Sequence, residues 1–587
     1  MPLNDIADPR KAAWINSFFD ENHLSYPTSP ELVASPAQMK FMVRLEEGER
    51  YYPCTKEVYD QIMLRSKSPV LREMYNQAWS RISKVVEAKL EDQSHRDFLI
   101  ELLNIKYEHE TANYNIIPSR LEKRLFKLFV VTTQIEDPLR DEKDEANKRA
   151  ESILRDPAFI RAINRPAGEY APAKCFREES LESARRHLDA TKLKRMFQIS
   201  IQEKLWADGA AHPSEDDLAR IFEQPISGGG WEQLETFLLT PRDDLAGHWK
   251  PRRILYLADK AGQIVFDLAV IKMLISLGHK VLLTVKNAAY YDYVYLGDIV
   301  GDPDYKKWMP DAEIVTSPNL TKNQLAALLR NGKSMCVISD GNMENVNLLR
   351  SSITFARAFK EVDGIISKGI AQRRRLFLTP FEFSQDIYSF TPNPDGSLGV
   401  LYKPRCPRTV RFSTQTLEEM AGEIIGKMRQ AKTEGSTVMF YSGIVGSIPG
   451  ETETAIKVMT VFINDLKTQQ EGAFIINPSS FFEPGMDADD LMYMWEIVQR
   501  NGPIDIWRFQ TFMDIERSFA LLGQKVPPQW VGKDATFSTG CTKERAIAEE
   551  VQRRNPEMQI IGPDPEKFLR RSEYGIGLFH DTRLNEI

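Results

Sequence analysis

The sequence predicts an α/β fold, a three-layer sandwich around a mostly parallel sheet, with a helical region before it and a further α/β region after it. From about Pro251 onward, short β-branched runs alternate with helical stretches. Such alternation is typical of βαβ units, whose parallel strands are covered by helices on both faces. The predicted strands are RILYLA (253–258), KVLLTV (280–285), AEIVT (312–316), SMCVIS (334–339) and DGIIS (363–367).

The region before the sheet is predicted to be mainly helical. Between about Thr55 and Gln134 the apolar residues recur three and four positions apart, as on one face of a helix. The stretch SYPTSPELVASP (25–36) is rich in proline and serine and predicts an extended lead-in. We therefore predict three regions: 1–150 mainly helical, 151–410 α/β, and 411–587 a second α/β region of unknown role.

The third region repeats the alternation of strands and helices. The runs TVMFYSG, AFIINP, IDIWRFQ and MQIIGP are predicted strands, separated by amphipathic stretches. The sequence leaves open whether these strands join the first sheet or form a second small α/β domain.

Composition and charge exclude several classes of protein. The 587 residues include 76 lysines and arginines against 83 acidic residues, for a net charge of −7. This argues against a general nucleic-acid-binding protein, which needs a basic surface. No apolar run approaches the ~20 residues of a membrane span, and the first residues lack the apolar core of a signal peptide. The five cysteines are far apart, so we expect reduced thiols and a cytoplasmic protein.

Charged residues follow the predicted strands at their carboxyl ends, where open α/β sheets bind their ligands. Asp259 and Lys260 follow the first strand, Lys286 follows the second, and Asp340 follows the fourth. Lys368 and Gly369 come at the end of the fifth. The sequence therefore predicts a polar site at one edge of the sheet.

Four segments, in this order, resemble the metal-dependent damage-control phosphatases, a family long catalogued as a domain of unknown function. They are ADKAGQIVFDLAVIK, VLLTVKNAAYYDYVYLGD, DGIISKGIAQRRRL and GVLYKPRC. The resemblance covers roughly residues 150–410. It implies a divalent metal (Mn, Mg, Co or Ni) held by oxygen ligands, which removes phosphate from small phosphorylated metabolites.

Carried over residue by residue, the resemblance implies a set of site residues. Asp259, Lys260 and Asp292 are the implied catalytic positions, with Asp259 and Asp292 as metal ligands. The implied substrate-binding residues are Lys286, Asp340, Lys368, Gly369, Arg374 and Lys403.

The chain departs from the family pattern where a metal would be held. Lys260 stands where the family has an asparagine, and lysine offers only donors and a positive charge. A third ligand would fall near Tyr293, one residue from Asp292, and Gln372 replaces the asparagine of the Lys-Gly segment. Lys260 is thus expected to place an ammonium roughly where a metal would lie.

Two functions remain open. The first is a metal-dependent phosphatase with a degenerate metal site. The second is a non-catalytic or metal-free relative, without a cofactor, that binds a small anion or a protein partner. No membrane partner is expected under either, and Asp259 and Lys260 could instead form a simple ion pair at a surface turn.

Overall fold

The described residues fold into two compact units, the first ending at residue 407 and the second beginning at residue 408. The computed structural model describes residues 8–24, 39–46, 49–165, 181–239, 251–448, 450–470, 472–481, 483 and 485–568. The predicted lead-in at 25–36 lies outside these residues, and the division into three regions stays a prediction.

The first unit begins with a layer of helices, as the apolar periodicity of the sequence predicts. Several helices start at a proline, which suits the first turn because its missing N–H would have no intrahelical partner there. The helices are α1 (Pro9–Glu21), α2 (Lys56–Met63), α3 (Pro69–Lys89), α4 (Gln93–Thr111), α5 (Pro118–Thr133), α6 (Arg140–Arg155), α7 (Pro157–Asn164), α8 (Leu181–Ile199), α9 (Glu215–Glu223) and α10 (Gly230–Leu239).

A seven-stranded sheet forms the middle layer, and it confirms the predicted fold class. Its strand order is β4-β5-β3-β2-β6-β8-β9, with every neighbouring pair parallel except the final β8-β9 hairpin. The short strands β1 and β7 pair separately. The strands are β1 (Val43–Arg44), β2 (Arg253–Leu257), β3 (Lys280–Val285), β4 (Glu313–Ile314), β5 (Met335–Ser339), β6 (Gly364–Lys368), β7 (Glu382–Phe383), β8 (Ile387–Pro392) and β9 (Leu398–Lys403).

The two faces of this sheet belong to different hydrophobic cores, as the period of two along a strand requires. Leu255 and Leu257 of β2 pack into a core shared with helices α1 to α5. Ile254 and Tyr256 point to the other face, into a core shared with α8 and with the crossover helix after β2. The helices of the crossovers are α11 (Gln263–Ser276), α12 (Leu296–Gly301), α13 (Pro303–Trp308), α14 (Lys322–Arg330), α15 (Ile353–Glu361) and α16 (Ile370–Leu376).

The second unit contains its own four-stranded parallel sheet, which answers the question that the sequence left open. The strand order is β11-β10-β12-β13. All four predicted strand runs are present, as β10 (Thr437–Ser442), β11 (Ala473–Ile476), β12 (Ile506–Phe509) and β13 (Gln559–Ile561). The helices of this unit are α17 (Thr414–Thr433), α18 (Thr452–Gln469), α19 (Ala488–Asn501), α20 (Phe512–Leu521) and α21 (Thr539–Arg554).

Among the helices of the described ranges, none combines the length and the apolar character needed to span a bilayer.

Candidate functional site

A cavity of about 590 Å³ opens in the first unit at the carboxyl ends of the parallel strands. Helices α3 and α5 form one wall, and the others are formed by the loops after β2, β3 and β5, the start of α16 after β6, strand β8, and the segment after α8. Its polar lining residues are Gln77, Arg81, Ser119, Glu122, Glu203, Asp259, Lys260, Gln263, Asp292, Tyr293, Asn345 and Arg374. The cavity is therefore at the edge of the sheet that the sequence predicts.

Asp259 is buried at the end of β2, with 4% of its surface exposed. A neighbouring glycine leaves room for its carboxylate. Gly369 has a φ of 91°, and a Cβ atom there would lie 1.9 Å from Asp259 Oδ2. Asp259 Oδ1 has no hydrogen-bond partner among the residues that the structure describes. Burial raises the pKa of Asp259 to about 7, despite the opposing effect of Lys260.

Two backbone segments run side by side next to Asp259 and fix the geometry of the site. The amide of Ala261 donates to the carbonyl of Asp292 (2.9 Å), and the amide of Val294 donates to the carbonyl of Asp259 (3.2 Å). Lys260 thereby faces Tyr293 in an antiparallel bridge. The two candidate ligand segments are thus brought together by main-chain hydrogen bonds.

Lys260 points its ammonium at two carboxylates. Its Nζ lies 3.2 Å from Asp292 Oδ2 and 3.6 Å from Glu203 Oε2. Burial alone would lower the pKa of Lys260, but these two acids outweigh burial and raise it. The lysine side chain is therefore charged and held by the acids around it.

Arg81 of α3 reaches the same acid from the helical layer. It donates to Asp292 Oδ1 (2.9 Å) and to Glu122 Oε1 (2.7 Å), and its guanidinium lies 3.7 Å from the ring centroid of Tyr291. Both carboxylate oxygens of Asp292 therefore contact cations, one from Arg81 and one from Lys260.

The other residues predicted from the sequence fall in three places. Arg374 lines the cavity and is exposed, and Gly369 lines it beside Asp259. Lys286 and Asp340 form a buried ion pair of 2.6 Å and are not among the lining residues. Lys368 is fully buried beneath the site, 3.3 Å from Asp267 and 2.5 Å from Ser200 Oγ.

Lys403 lies at the end of β9 and is also not among the lining residues. It donates to the carbonyls of Leu376 (2.9 Å) and Thr379 (3.4 Å), at the end of helix α16. Burial lowers its pKa to about 8. A lysine at a helix C-terminus stabilises the unpaired carbonyls there.

Sequence reasoning missed the residues that the helical layer and the loop before α9 contribute. Arg81 and Glu122 lie in stretches that the sequence predicts only to be helical, and no role is predicted for Glu203, yet all three line the cavity. The one available signal for Arg81 was its position between the buried residues Ala78 and Ile82, near the inward face of α3. That signal does not distinguish a site residue from a partly buried arginine.

The donor set does not fit a divalent cation. Hard cations require about six oxygen ligands. Within the described ranges no group of three or more histidine, cysteine, aspartate or glutamate side chains is placed to hold a metal. Asp292 is already held by two cations, Arg81 and Lys260, whose charges have the same sign as that of a metal. Among the described residues that line the cavity, Asp259 alone has a buried oxygen without a hydrogen-bond partner.

Comparison with known proteins points to one family. The profile described as the damage-control phosphatase ARMT1-like domain matches residues 49–389. A DUF89 family protein from Pyrococcus horikoshii has a crystal structure similar to part of this chain, with 17% identity, a TM-score of 0.39, and coverage of 56% of this chain and 97% of that one. No curated protein matches the chain.

Proposed function

Because this chain belongs to the ARMT1-like damage-control phosphatase family, we propose that its cavity binds a small phosphorylated metabolite through protein cations, with a degenerate metal site. The family is metal-dependent and phosphatase-like. One observation carries the proposal for this chain: Asp292 Oδ1 contacts Arg81 and Asp292 Oδ2 contacts Lys260. Both oxygens that a metal would need as ligands are therefore held by protein cations.

The cavity supplies positive groups for a phosphate. Lys260 and Arg81 come from opposite walls, and Arg374 lines the cavity with no ion-pair partner among the described residues. Helix α5 adds the amide of Ser119 at its N-terminus, since Pro118 has no N–H and the amide of Arg120 donates to the carbonyl of Ile117 (2.8 Å). Uncapped N–H groups at a helix N-terminus favour anions.

Asp259 can act on a phosphate without a metal. Its pKa is raised by burial to about 7, so a large share of the carboxyl groups is protonated at neutral pH. A protonated carboxyl group donates a hydrogen bond to a phosphate oxygen, whereas the ionised form repels it. We propose that Asp259 binds the phosphate in its protonated form.

The remaining predicted residues are given supporting roles in this proposal. Lys286 with Asp340, and Lys368 with Asp267, are buried ion pairs that hold the loops after β3, β5 and β6. Lys403 holds the C-terminal end of α16, the helix that carries Arg374. We propose no direct contact between these side chains and the ligand.

A second candidate is a metal-dependent phosphatase acting on the same class of metabolite. The buried Asp259 Oδ1, which has no partner among the described residues, favours it, because a metal would satisfy this oxygen. Under this candidate Lys260 would have to leave Asp292 when the metal binds.

The experiment compares hydrolysis and metal binding in four proteins: wild type, Asp259→Ala, Lys260→Asn and Lys260→Met. Substrates are p-nitrophenyl phosphate and a panel of sugar phosphates, with Mn²⁺, Co²⁺, Ni²⁺ or Mg²⁺. Metal affinity is measured separately by calorimetry. We expect weak or no metal-dependent turnover in the wild type, and a gain of Mn²⁺ binding in Lys260→Asn, which supplies a neutral oxygen.

Lys260→Met is the matched control, because it removes the charge without providing an oxygen ligand. If it gained as much Mn²⁺ affinity as Lys260→Asn, repulsion alone would be the obstacle rather than a missing ligand. Metal-dependent turnover by the wild type that is lost in Asp259→Ala would instead establish the second candidate. Absence of phosphate binding to the wild-type cavity would reject both.

A further inference from the structure

A second group of cations lies behind the Pro118–Ser119 wall of the cavity. It consists of Arg120 and Lys123 on α5, Arg350 at the end of a 3₁₀ turn, and Arg375 on α16, and we call it the cation cluster. Arg120 and Lys123 contact one carboxylate, Glu344, which is 1% exposed. Arg120 Nη1 lies 2.5 Å and Lys123 Nζ lies 3.5 Å from Glu344 Oε1.

All four cations act electrostatically on the carboxyl group of Glu344. Burial alone would raise the pKa of Glu344, yet the four cations together lower it to about 2. Burial and the neighbouring arginines lower the pKa of Lys123 to about 8. Burial, with Arg120, lowers the pKa of Arg350 to about 10. The cations therefore repel one another in a poorly solvated region.

The positive charge is not balanced by the described residues. Four cations against one carboxylate leave an excess of three positive charges. The side chain of Arg350 forms no hydrogen bond or ion pair with any residue in the described ranges, and the guanidinium of Arg375 donates there only to the hydroxyl of Ser119. Burying an unpaired cation costs several kcal/mol, so proteins pair such groups or bind a counter-ion.

Other nearby groups do not supply the missing charge. The nearby acids Glu110 and Glu21 lie against a different cation, Arg124 of α5, and so do not balance the cation cluster. Burial, with these arginines, lowers the pKa of His23 to about 4, so it is neutral. Burial raises the pKa of Tyr51 and of Cys54, near Arg375, to about 12, so both are also neutral.

Three buried polar atoms in or beside the cation cluster also lack hydrogen-bond partners among the described residues, and one of them is an acceptor, Glu344 Oε2. Arg120 Nε is a buried donor without an acceptor, on a side chain that is 3% exposed. Asn347 Nδ2, three residues from Glu344, is a second buried donor without an acceptor. Unused buried donors beside unpaired cations are what an oxyanion would satisfy.

We propose that the cation cluster is a second anion site, separate from the cavity, which binds a small oxyanion of two or three negative charges, such as phosphate or a phosphate ester. Arg350 and Arg375 supply the unpaired guanidinium groups, Arg120 supplies its free Nε, and Lys123 supplies the partly exposed edge through which the anion enters. Glu344 orients Arg120 and Lys123. The proposal does not depend on what the cavity binds.

The first test counts anion sites on the full chain. Calorimetry with inorganic phosphate, repeated with sulfate, is compared for wild type, Arg350→Met and the matched cavity variant Arg374→Met. We expect two sites in the wild type, one of which weakens roughly tenfold or more in Arg350→Met and the other in Arg374→Met. If Arg350→Met kept both sites at wild-type affinity, the proposal would be wrong.

The second test uses stability, where a purely structural role predicts the opposite result. In anion-free buffer Arg350→Met should unfold at a higher temperature than the wild type, because it removes a repulsive charge. Phosphate should raise the unfolding temperature of the wild type more than that of the variant. An Arg350→Met protein that is less stable without anions would assign Arg350 to the folded structure alone.

Diffraction from crystals soaked in tungstate separates this proposal from the function proposed for the cavity. Anomalous density between Arg120, Arg350 and Arg375 supports the second site, whatever is found in the cavity. Density in the cavity alone rejects the second site and leaves the cavity proposal standing. Density at neither place rejects both.

Discussion

The two sheets of this chain differ in what the residues at the carboxyl ends of their parallel strands contact. At the seven-stranded sheet, the charged residues after β2, β3 and β6 face a cavity of about 590 Å³. At the four-stranded sheet, polar groups in and directly after β10 and β12 bond to one another. Gln510 Oε1 accepts from the amide of Ile444 (3.0 Å), and Ser442 Oγ accepts from Trp507 Nε1 (2.9 Å).

The second unit opens at the other end of its sheet. A groove of about 400 Å³ is lined by residues at the amino ends of β10, β12 and β13, including Lys432, Asp505 and Gln559. Open α/β sheets bind ligands outside the carboxyl ends of their strands. Parallel topology brings polar groups together at the carboxyl ends of the strands. Whether these groups line a ligand cavity or bond to one another depends on the loops that follow the strands.

The largest expected difference between the two units concerns two ion pairs of equal length. Lys286–Asp340 and Lys432–Asp505 both measure 2.6 Å, but the first pair is 4% exposed on each side and the second 41% and 32%. Lys286→Met leaves a buried carboxylate unpaired and should cost about 3–5 kcal/mol. Lys432→Met should cost less than about 1 kcal/mol. Urea unfolding, followed by hydrogen exchange in each unit, measures both.

Equal losses of unfolding free energy in the two variants would show that burial does not determine how much each ion pair contributes to stability. The double variant Lys286→Met/Asp340→Leu provides the control, because it removes both charges of the buried pair. It should recover much of the lost stability.

The next largest effect is a pH dependence of the stability of each unit. In each unit it comes from one buried carboxyl group. Burial raises the pKa of Asp259 and of Glu544 to about 7. The folded state then keeps a proton that the unfolded state releases. The contribution of each carboxyl group to the free energy of unfolding is therefore fully present below about pH 4. It is lost as the pH rises to about 7, by roughly 4 kcal/mol for Asp259 and 3 kcal/mol for Glu544.

Asp259→Asn should remove this pH dependence from the free energy of unfolding of the first unit only. Glu544→Gln should remove it from that of the second unit only. The measurement is the free energy of unfolding of each unit across this pH range. Sulfate binding to the cavity adds a second readout, since it should weaken above pH 7 in the wild type but not in Asp259→Asn. An unchanged slope in Asp259→Asn would contradict the raised pKa.

The smallest of the three effects compares two left-handed glycines. Gly369→Ala places a Cβ atom 1.9 Å from Asp259 Oδ2 at a φ of 91°, and should destabilise the first unit by about 3 kcal/mol. Gly435→Ala in the second unit, at a φ of 83°, meets no atom within 4 Å and should cost only about 1 kcal/mol. Denaturant unfolding of both variants tests this.

If the crowding of Asp259 explains the difference, Gly369→Ala combined with Asp259→Ala should cost less than the sum of the two single changes. Strict additivity would mean that the backbone conformation alone sets the cost.

Much of the fold could be predicted because its signals are local. The β-branched runs RILYL and KVLLT, buried on both faces, predict central strands wherever they lie in the chain. The position of Asp259 at a strand end likewise predicts that it lies at the ligand-binding edge. Arg81 could not be predicted, because its contact with Asp292 joins residues that are 211 positions apart in the chain.

By itself, the sequence determined the alternation of strands and helices and the edge at which charged residues gather. These are properties of single residues and of their near neighbours. Only the tertiary structure decided what those charges do. Lys260 and Arg81 neutralise Asp292 because the strand-end loop and α3 meet there, and Lys286 is removed from the cavity because Asp340 pairs with it. Electrostatic interactions depend on distance and burial in space, and the order of residues along the chain sets neither.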